Sequence, residues 1–325
     1  MNNENNYQLT VVVPIYGVEK YIERCARSLF KQTQTNIEYI FVNDCTKDKS
    51  LDVLQRVIND YPHLKEHIKV IHHQRNKGLP QARKTGIEAS TGLYIVHCDS
   101  DDWVDPTAYE KMLKTAIRNE ADMVVCAYYK STGSEHVPFV FKGELTLREL
   151  FFNYAIFSGM WCKMIKRDVY FDTSIIYPQA NMFEDRAFTV QLAYKCKKIE
   201  YIDEPLYYYF NNNSSICLAD GEQNCINRWM QAKENTELII NFFIKENLLE
   251  LYSEDIDKLK FSVKHQLSPL VHKTLYFKKW KDTYSEINRK IIFTNILTLS
   301  SKIKYVLTLL RIFPILRRLY HYIKY

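Results

Sequence analysis

The chain has 325 residues, 46% of them hydrophobic and 25% charged, with only eight glycines and nine prolines, which excludes collagen-like, linker-rich and disordered classes. Its net charge of +6 is uneven: no acid follows Glu286, whereas eight basic residues do, leaving 36 basic against 38 acidic residues in the first 286. A body without excess positive charge lacks the basic face that phosphate-backbone binding needs, so no nucleic-acid partner is expected.

The polar start MNNENNYQLT has neither a basic n-region nor an apolar h-region, which predicts a cytoplasmic location. From there short β-rich runs alternate with helical patterns. LTVVVPIY (9–16) is followed by a helix over about 18–31, IEYIFVND (37–44) by one over 48–59, and IKVIHH (68–73) by one over 80–89. LYIVHCD (93–99), a helix over 106–119 and DMVVCAYY (122–129) complete the series. Near-continuous apolar strands separated by helices predict an α/β fold, with a Rossmann-like, mostly parallel sheet carrying helices on both faces. Ligands collect at the carboxyl ends of such strands, where Tyr16, Asp44 and Asp99 stand.

Beyond residue 137 the rhythm breaks into short extended pieces and isolated helices, and from about Gln223 the chain reads as helical. The sequence therefore divides into a domain over 1–215, a helical region over 216–300 and a basic amphipathic tail over 301–325. Within the first part, about 1–130 carries the strand–helix alternation and about 131–215 reads as a lid packed on the sheet. In the tail, Lys304, Arg311 and Arg318 recur at a seven-residue spacing, with Val306, Leu309, Leu310, Phe313, Leu316 and Tyr320 between them and Pro314 as a predicted kink. Such a helix suits the surface of an anionic membrane rather than a span, and packing on the protein's own surface is the alternative. The eight cysteines are scattered without a C-x-x-C pair and read as reduced core residues.

The stretch YIVHCDSDDWVDP (94–106) places Asp99, Asp101 and Asp102 against an apolar strand. Adjacent carboxylates at a buried strand end need a compensating cation. Mg²⁺ or Mn²⁺ would meet that need with one or two carboxylates, drawing the rest of its shell from substrate phosphates and water. A plain capping cluster is the competing explanation, and Asp105 as N-cap with Pro106 at the first helical position is assigned to it. Elsewhere, Asp44 can accept the imide N–H of a uracil-like base or merely cap the helix beginning near Asp48, and Pro14 and Tyr16 can supply a stiff turn and an aromatic wall. Arg83, on a helix after the loop residues Asn76 and Gly78, can reach phosphate oxygens or base edges or be an ordinary helix-surface residue.

In this order the motifs VVVPIYGVEKYIERCARSLFKQT, EYIFVNDCTKDKS, NKGLPQARKTGI, GLYIVHCDSDDWVDP and NMFEDRAFTVQLAY closely resemble those of inverting glycosyltransferase family 2, which has the GT-A fold. The resemblance runs over about residues 9–210. It implies that Pro14 and Tyr16 border the nucleotide, that Asp44 recognises the base, and that Asn76 and Arg83 contact nucleotide and diphosphate. It further implies that Asp101 binds metal directly while Asp99 contacts ribose or a metal-bound water, and that Glu184 and Asp185 form an E-D pair whose aspartate is the catalytic base. Acids in a first helical turn also meet the helix dipole favourably, which is the structural alternative for that pair.

The chain departs from the family pattern at Cys45, where glycine is frequent, and at Phe210 and Asn211, where an arginine often follows the tyrosine-rich strand. CINRW (225–229) has Cys225 at the glutamine position of Q-x-x-R-W, so Trp229 is expected to be a structural anchor and transfer to stop at one sugar. The expectation is a metal-dependent enzyme moving a sugar from a UDP-linked donor to a glycan hydroxyl. A lipid-linked acceptor is expected, in surface polysaccharide assembly, with the enzyme peripheral on the inner membrane face. A catalytically silent nucleotide-binding or scaffolding module is the alternative.

Overall fold

The structure is a computed structural model, and it describes residues 7–143, 145–150, 159–211, 221–293, 298–313 and 315–316. The chain forms two compact units, Met1–Gln179 with Phe188–Asn213, and Ala180–Ala187 with Ser214–Tyr325. The short segment carrying Glu184 and Asp185 thus belongs with the second unit.

Among the described residues the first unit is built on a nine-stranded sheet. Its strands are β1 (Leu9–Ile15), β2 (Ile37–Asn43), β3 (Ile68–His72), β4 (Tyr94–His97), β5 (Trp103–Val104), β6 (Met123–Ser131), β7 (His136–Phe139), β8 (Lys163–Lys166) and β9 (Ile199–Phe210). They run in the order β3-β2-β1-β4-β8-β6-β9-β5, with β7 paired to β6. All seven residues of β1 and all seven of β2 are buried, as strands covered on both faces must be. The helices α1 (Ile22–Phe30), α2 (Ser50–Asn59), α3 (Leu79–Ala89) and α4 (Ala108–Asn119) fall between these strands. In α1 the buried positions Ile22, Cys25, Ala26 and Leu29 follow helical spacing, and the same periodicity recurs in α2 with Val53, Leu54, Val57 and Ile58.

From β3 to β4 the sheet is parallel; beyond it β8 inserts antiparallel to both β4 and β6, and β9 returns parallel to β6. The sheet is therefore mixed, with its parallel part at the N-terminal end where the strand-end residues gather. A short helix, α5 (Arg167–Tyr170), follows β8, and α6 (Glu184–Lys195) precedes β9. Helix α4 starts at Ala108, two residues later than the sequence suggests. Asp105 instead builds a turn, accepting from the Thr107 amide and hydroxyl at 2.8 and 2.6 Å.

In the second unit α7 (Glu222–Lys245), α8 (Ser253–Gln266), α9 (Thr274–Asp282), α10 (Ile287–Phe293) and α11 (Leu299–Leu309) follow one another. Phe261, Leu267, Val271, Trp280, Ile287, Ile291 and Tyr305 form its core, with Trp229 packed against them. The anchoring role expected of Trp229 fits that position. Lys264 is fully buried, and its ammonium donates to the carbonyls of Trp280, Lys281 and Thr283 at the end of α9. Burial pushes its pKa down to about 8. The predicted kink at Pro314, and Arg318 and Tyr320 of the tail, lie outside the described residues.

The seven described cysteines carry free thiols, five of them buried, and Cys217 is outside the described residues. No helix among the described residues is long and apolar enough to cross a membrane.

Candidate functional site

The first unit brings the loops after β1, β2, β3 and β4 together. Pro14 is not in a turn: it is buried within β1, opposite Val42 of β2, and lies beyond the last β1–β4 pair, Val12 with His97. A proline has no N–H to extend that ladder. The turn falls instead at Gly17, whose φ of 69° is a conformation glycine adopts without cost. Tyr16, just before it, is 49% exposed, as an aromatic wall requires.

Three residues of the second loop tie the first one down. The Gly17 amide donates to Thr46, the Val18 amide to Ser50 and the Glu19 amide to Asp48, at 2.9, 3.1 and 2.9 Å. Burial opposes the Asp48 charge, but hydrogen bonds from Ser50 and Thr46 hold its pKa below the ordinary value. Cys45 takes a φ of 60°, so it occupies the left-handed region that the glycine frequent at this position would enter freely.

Asp44 is buried and accepts three hydrogen bonds. His73 Nδ1 and the Lys77 amide reach Oδ1 at 2.7 and 2.8 Å, and the Gly78 amide reaches Oδ2 at 2.8 Å. A carboxylate cannot donate, so His73 donates through Nδ1, and its Nε2 is hydrogen-bonded to the Thr85 hydroxyl at 2.9 Å. Asp44 thereby holds the loop that bears the exposed Asn76 and starts α3. This bracing is a role sequence reasoning missed; the adjacent histidines at the end of β3 were its only trace.

Arg83, which its helical position alone would place on the surface, is 3% exposed and donates to Asp99 Oδ1 at 2.9 Å. Asp102, also buried, faces away from this pair toward β9: it accepts from the Tyr207 hydroxyl and the Phe210 amide, both at 2.7 Å. The Asp99 amide donates to the same Tyr207 hydroxyl at 3.2 Å. Burial, then the neighbouring Asp101 and Asp99 charges, raises the Asp102 pKa well above the usual carboxylate range.

Asp101 is half-buried, and its carbonyl accepts from Arg24 Nη2 at 2.8 Å. That guanidinium lies 3.7 Å over the Trp103 ring and 4.7 Å over Phe210, and is drawn by the charges of Asp102 and Asp101. Phe210 thus closes on Arg24 and Asp102 where the family often continues with an arginine. Arg24 lies on a helix far upstream in the sequence, and no local signal marked it.

Around Asp99–Asp102, therefore, Arg83 pairs with the Asp99 carboxylate, Arg24 bonds the Asp101 carbonyl, and Asp102 bonds Tyr207 and Phe210. No group of three metal-ligating side chains converges among the described residues. Asp101, with Asp99 beside it, suits a hard divalent cation that takes most of its ligands from phosphate and water, and does not suit one needing a protein cage.

In the second unit Glu184 and Asp185 open α6. Glu184 is 3% exposed, whereas Asp185 is only half-buried and accepts from the Arg186 amide at 2.7 Å. Burial lowers the Arg186 pKa and the Asp185 charge opposes that shift. The Arg186 guanidinium lies 4.9 Å over the Phe183 ring.

Residues 10–189 match the model of the family described as glycosyl transferase family 2. A Bacillus subtilis protein named as an uncharacterized glycosyltransferase, EpsJ, is 32% identical over 64% of this chain and 62% of its own length. The chain thus spans less than two thirds of that relative. Among solved structures, Staphylococcus aureus TarS residues 1–349 in complex with UDP-GlcNAc superposes with a TM-score of 0.59 at 19% identity, covering 87% of this chain and 92% of that one. The mannosyltransferase PcManGT from Pyrobaculum calidifontis, in complex with GDP-Man and Mn²⁺, does so with a TM-score of 0.56 at 13% identity, covering 94% and 87%. At these identities the two structures show a shared fold.

Proposed function

Because the chain belongs to glycosyltransferase family 2, with a GT-A-like fold and a nucleotide-sugar donor, we propose that it moves one sugar from a UDP-linked donor to a glycan hydroxyl with inversion. The observation that carries this reading is the Asp99–Asp102 loop at the end of β4, where Asp99 pairs with Arg83 and the half-buried Asp101 stands two residues on. A guanidinium and one or two carboxylates at one strand end suit a diphosphate that arrives together with a cation. Asp101 and Asp99 would hold Mn²⁺ or Mg²⁺ there, and the ion would neutralise charge building on the departing diphosphate. The Mn²⁺ in the PcManGT complex and the UDP-GlcNAc in the TarS complex support that choice of partners.

Tyr16 borders the base, Asn76 and Arg83 contact the nucleotide and its diphosphate, and Asp44 both recognises the base and keeps the Asn76 loop in place. Asp185 takes the proton of the acceptor hydroxyl as the bond to the anomeric carbon forms. Its greater exposure favours it over the buried Glu184, which serves as support. A panel of nucleotide sugars incubated with Mn²⁺ or Mg²⁺ tests the reading. Hydrolysis of a UDP-sugar that stops with EDTA is expected. UDP binding by calorimetry without turnover of any donor would favour the silent module.

A lipid-linked acceptor at a membrane surface is supported by α11. Tyr305 and Thr308 point inward, while Leu299, Ile303, Val306 and Leu310 are exposed beside Lys304. An apolar hollow of roughly 300 Å³ lies between Ile291, Leu299, Ile303 and Val306, with Lys302 at its edge. Arg311 packs 4.1 Å over Phe277. Deleting the tail would cut Tyr305 from the core, so point changes test the surface more cleanly. Ile303→Asp with Leu310→Asp should abolish co-sedimentation with phosphatidylglycerol vesicles, and unchanged binding would end the membrane role. In this reading the enzyme works peripherally on the cytoplasmic membrane face in assembly of a surface polysaccharide.

A further inference from the structure

We propose that Asn235, on α7, is a positioning residue for the Glu184–Asp185 pair, a role that rests on the reading of Asp185 as the base. Asn235 is fully buried, and its Nδ2 donates to the carbonyls of Ala180 and Met182 at 2.7 and 2.9 Å. Gln231, four residues earlier and so on the same helix face, accepts from the Met182 amide at 3.2 Å. Two side chains of one helix thus hold 180–182 through its main chain, as a neighbouring strand would.

The residue after this clamp is strained. Phe183 has a φ of 67°, a region that costs a non-glycine residue about 1–3 kcal/mol and persists only where its surroundings over-determine it. On its other side the Phe183 carbonyl accepts from the Ala187 amide at 3.0 Å, the first turn of α6. Phe183 is therefore a corner between a clamped segment and a helix start, and the corner sets where the first-turn carboxylates point. Without the clamp, relaxation of Phe183 toward negative φ would swing that turn.

The chemistry of Asn235 also indicates selection for its donors. Two carbonyl acceptors fix the amide orientation, which leaves Oδ1 buried with no hydrogen-bond partner. A leucine would carry no such orphaned oxygen, yet it could not hold Ala180 and Met182.

Asn235→Leu and Gln231→Met, each made alone and in an Asp185→Asn background, test the proposal. The readout is UDP release with Mn²⁺ from whichever of UDP-GlcNAc, UDP-glucose and UDP-galactose the wild-type enzyme turns over fastest. Displacement of a catalytic group by about 1 Å can cost 10²-fold, so Asn235→Leu should lower kcat by about 30-fold and Gln231→Met by about 5-fold. Donor KM and calorimetric UDP affinity should stay within about twofold, and each kcat loss should shrink to under about twofold once Asp185 is already Asn. Losses that persist in the Asp185→Asn background, or wild-type kcat in both variants, would overturn the proposal. Should Asn235→Leu fail to fold, the half-buried Gln231 position decides the matter by the same criterion. Full kcat in Asp185→Asn alone would instead refute the base assignment.

Discussion

The two units hold their acidic residues by different means. In the first, charged side chains brace one another across loops: Asp44 with His73 and two amides, Asp99 with Arg83, and the Asp101 carbonyl with Arg24. In the second, the Glu184–Asp185 turn is set through main-chain groups that Gln231 and Asn235 hold, while the Asp185 carboxylate is half-buried. A cross-braced residue is difficult to change without disturbing its partners, and Asp185 in its turn sets its charge beside the Arg186 guanidinium.

The largest expected effects sharpen this contrast. Asp101→Ala and Asp185→Asn should each reduce transfer by about 10²–10⁴-fold, the range of a lost general base or metal contact. Only Asp101→Ala should also remove Mn²⁺-dependent UDP binding in calorimetry; equal loss of binding in both would erase the distinction. Next is Asp44→Asn, whose amide must direct N–H groups at amide or imidazole donors. It should cost about 1–3 kcal/mol of stability, read as a lower Tm together with weaker UDP binding.

The smallest effect concerns the core of the second unit. Its Lys264 pKa of about 8 lies below the unfolded value of 10.5, so the unfolded chain binds more protons between those pH values. The Lys264 contribution to stability therefore rises as pH increases through that window. Lys264→Met should lower Tm by several degrees at pH 7, since three carbonyls lose their donor. The difference in stability between wild type and variant should widen from pH 8 to 10; a constant difference would show that Lys264 does not titrate there.

The alternation of strands and helices was legible because β1, β2 and β4 are mostly apolar and buried throughout, and their ends fall within two residues of the pattern. The antiparallel entry of β8 was not, since its pairing with β4 and β6 depends on residues far apart in sequence. The motifs identified Asp44, Arg83, Asp99 and Asp101 as a set, and in the structure Asp44, Asp99 and Asp101 stand in the loops after β2 and β4, with Arg83 of α3 bonded to Asp99. Their supports, Arg24, His73 and Tyr207, come from elements with ordinary helix or strand patterns, so periodicity alone could not separate them from core residues. Asn235 was equally hidden, as a polar residue on a long helix has no signature for the distant carbonyls it serves. Pro14 shows the reverse error: a proline read as a turn sits inside a strand, because the sheet partner it cannot bond ends two residues earlier.

The cross-bonds between the loops after β1, β2 and β3 have a thermodynamic consequence for ligand capture. Thr46, Asp48, Ser50 and Asp44 already fix backbone amides of the mouth. The conformational entropy of that mouth is surrendered on folding rather than on encounter. Nucleotide binding should then have a near rigid-body heat-capacity signature and associate in a single kinetic phase, with no slow step of loop closure over the base.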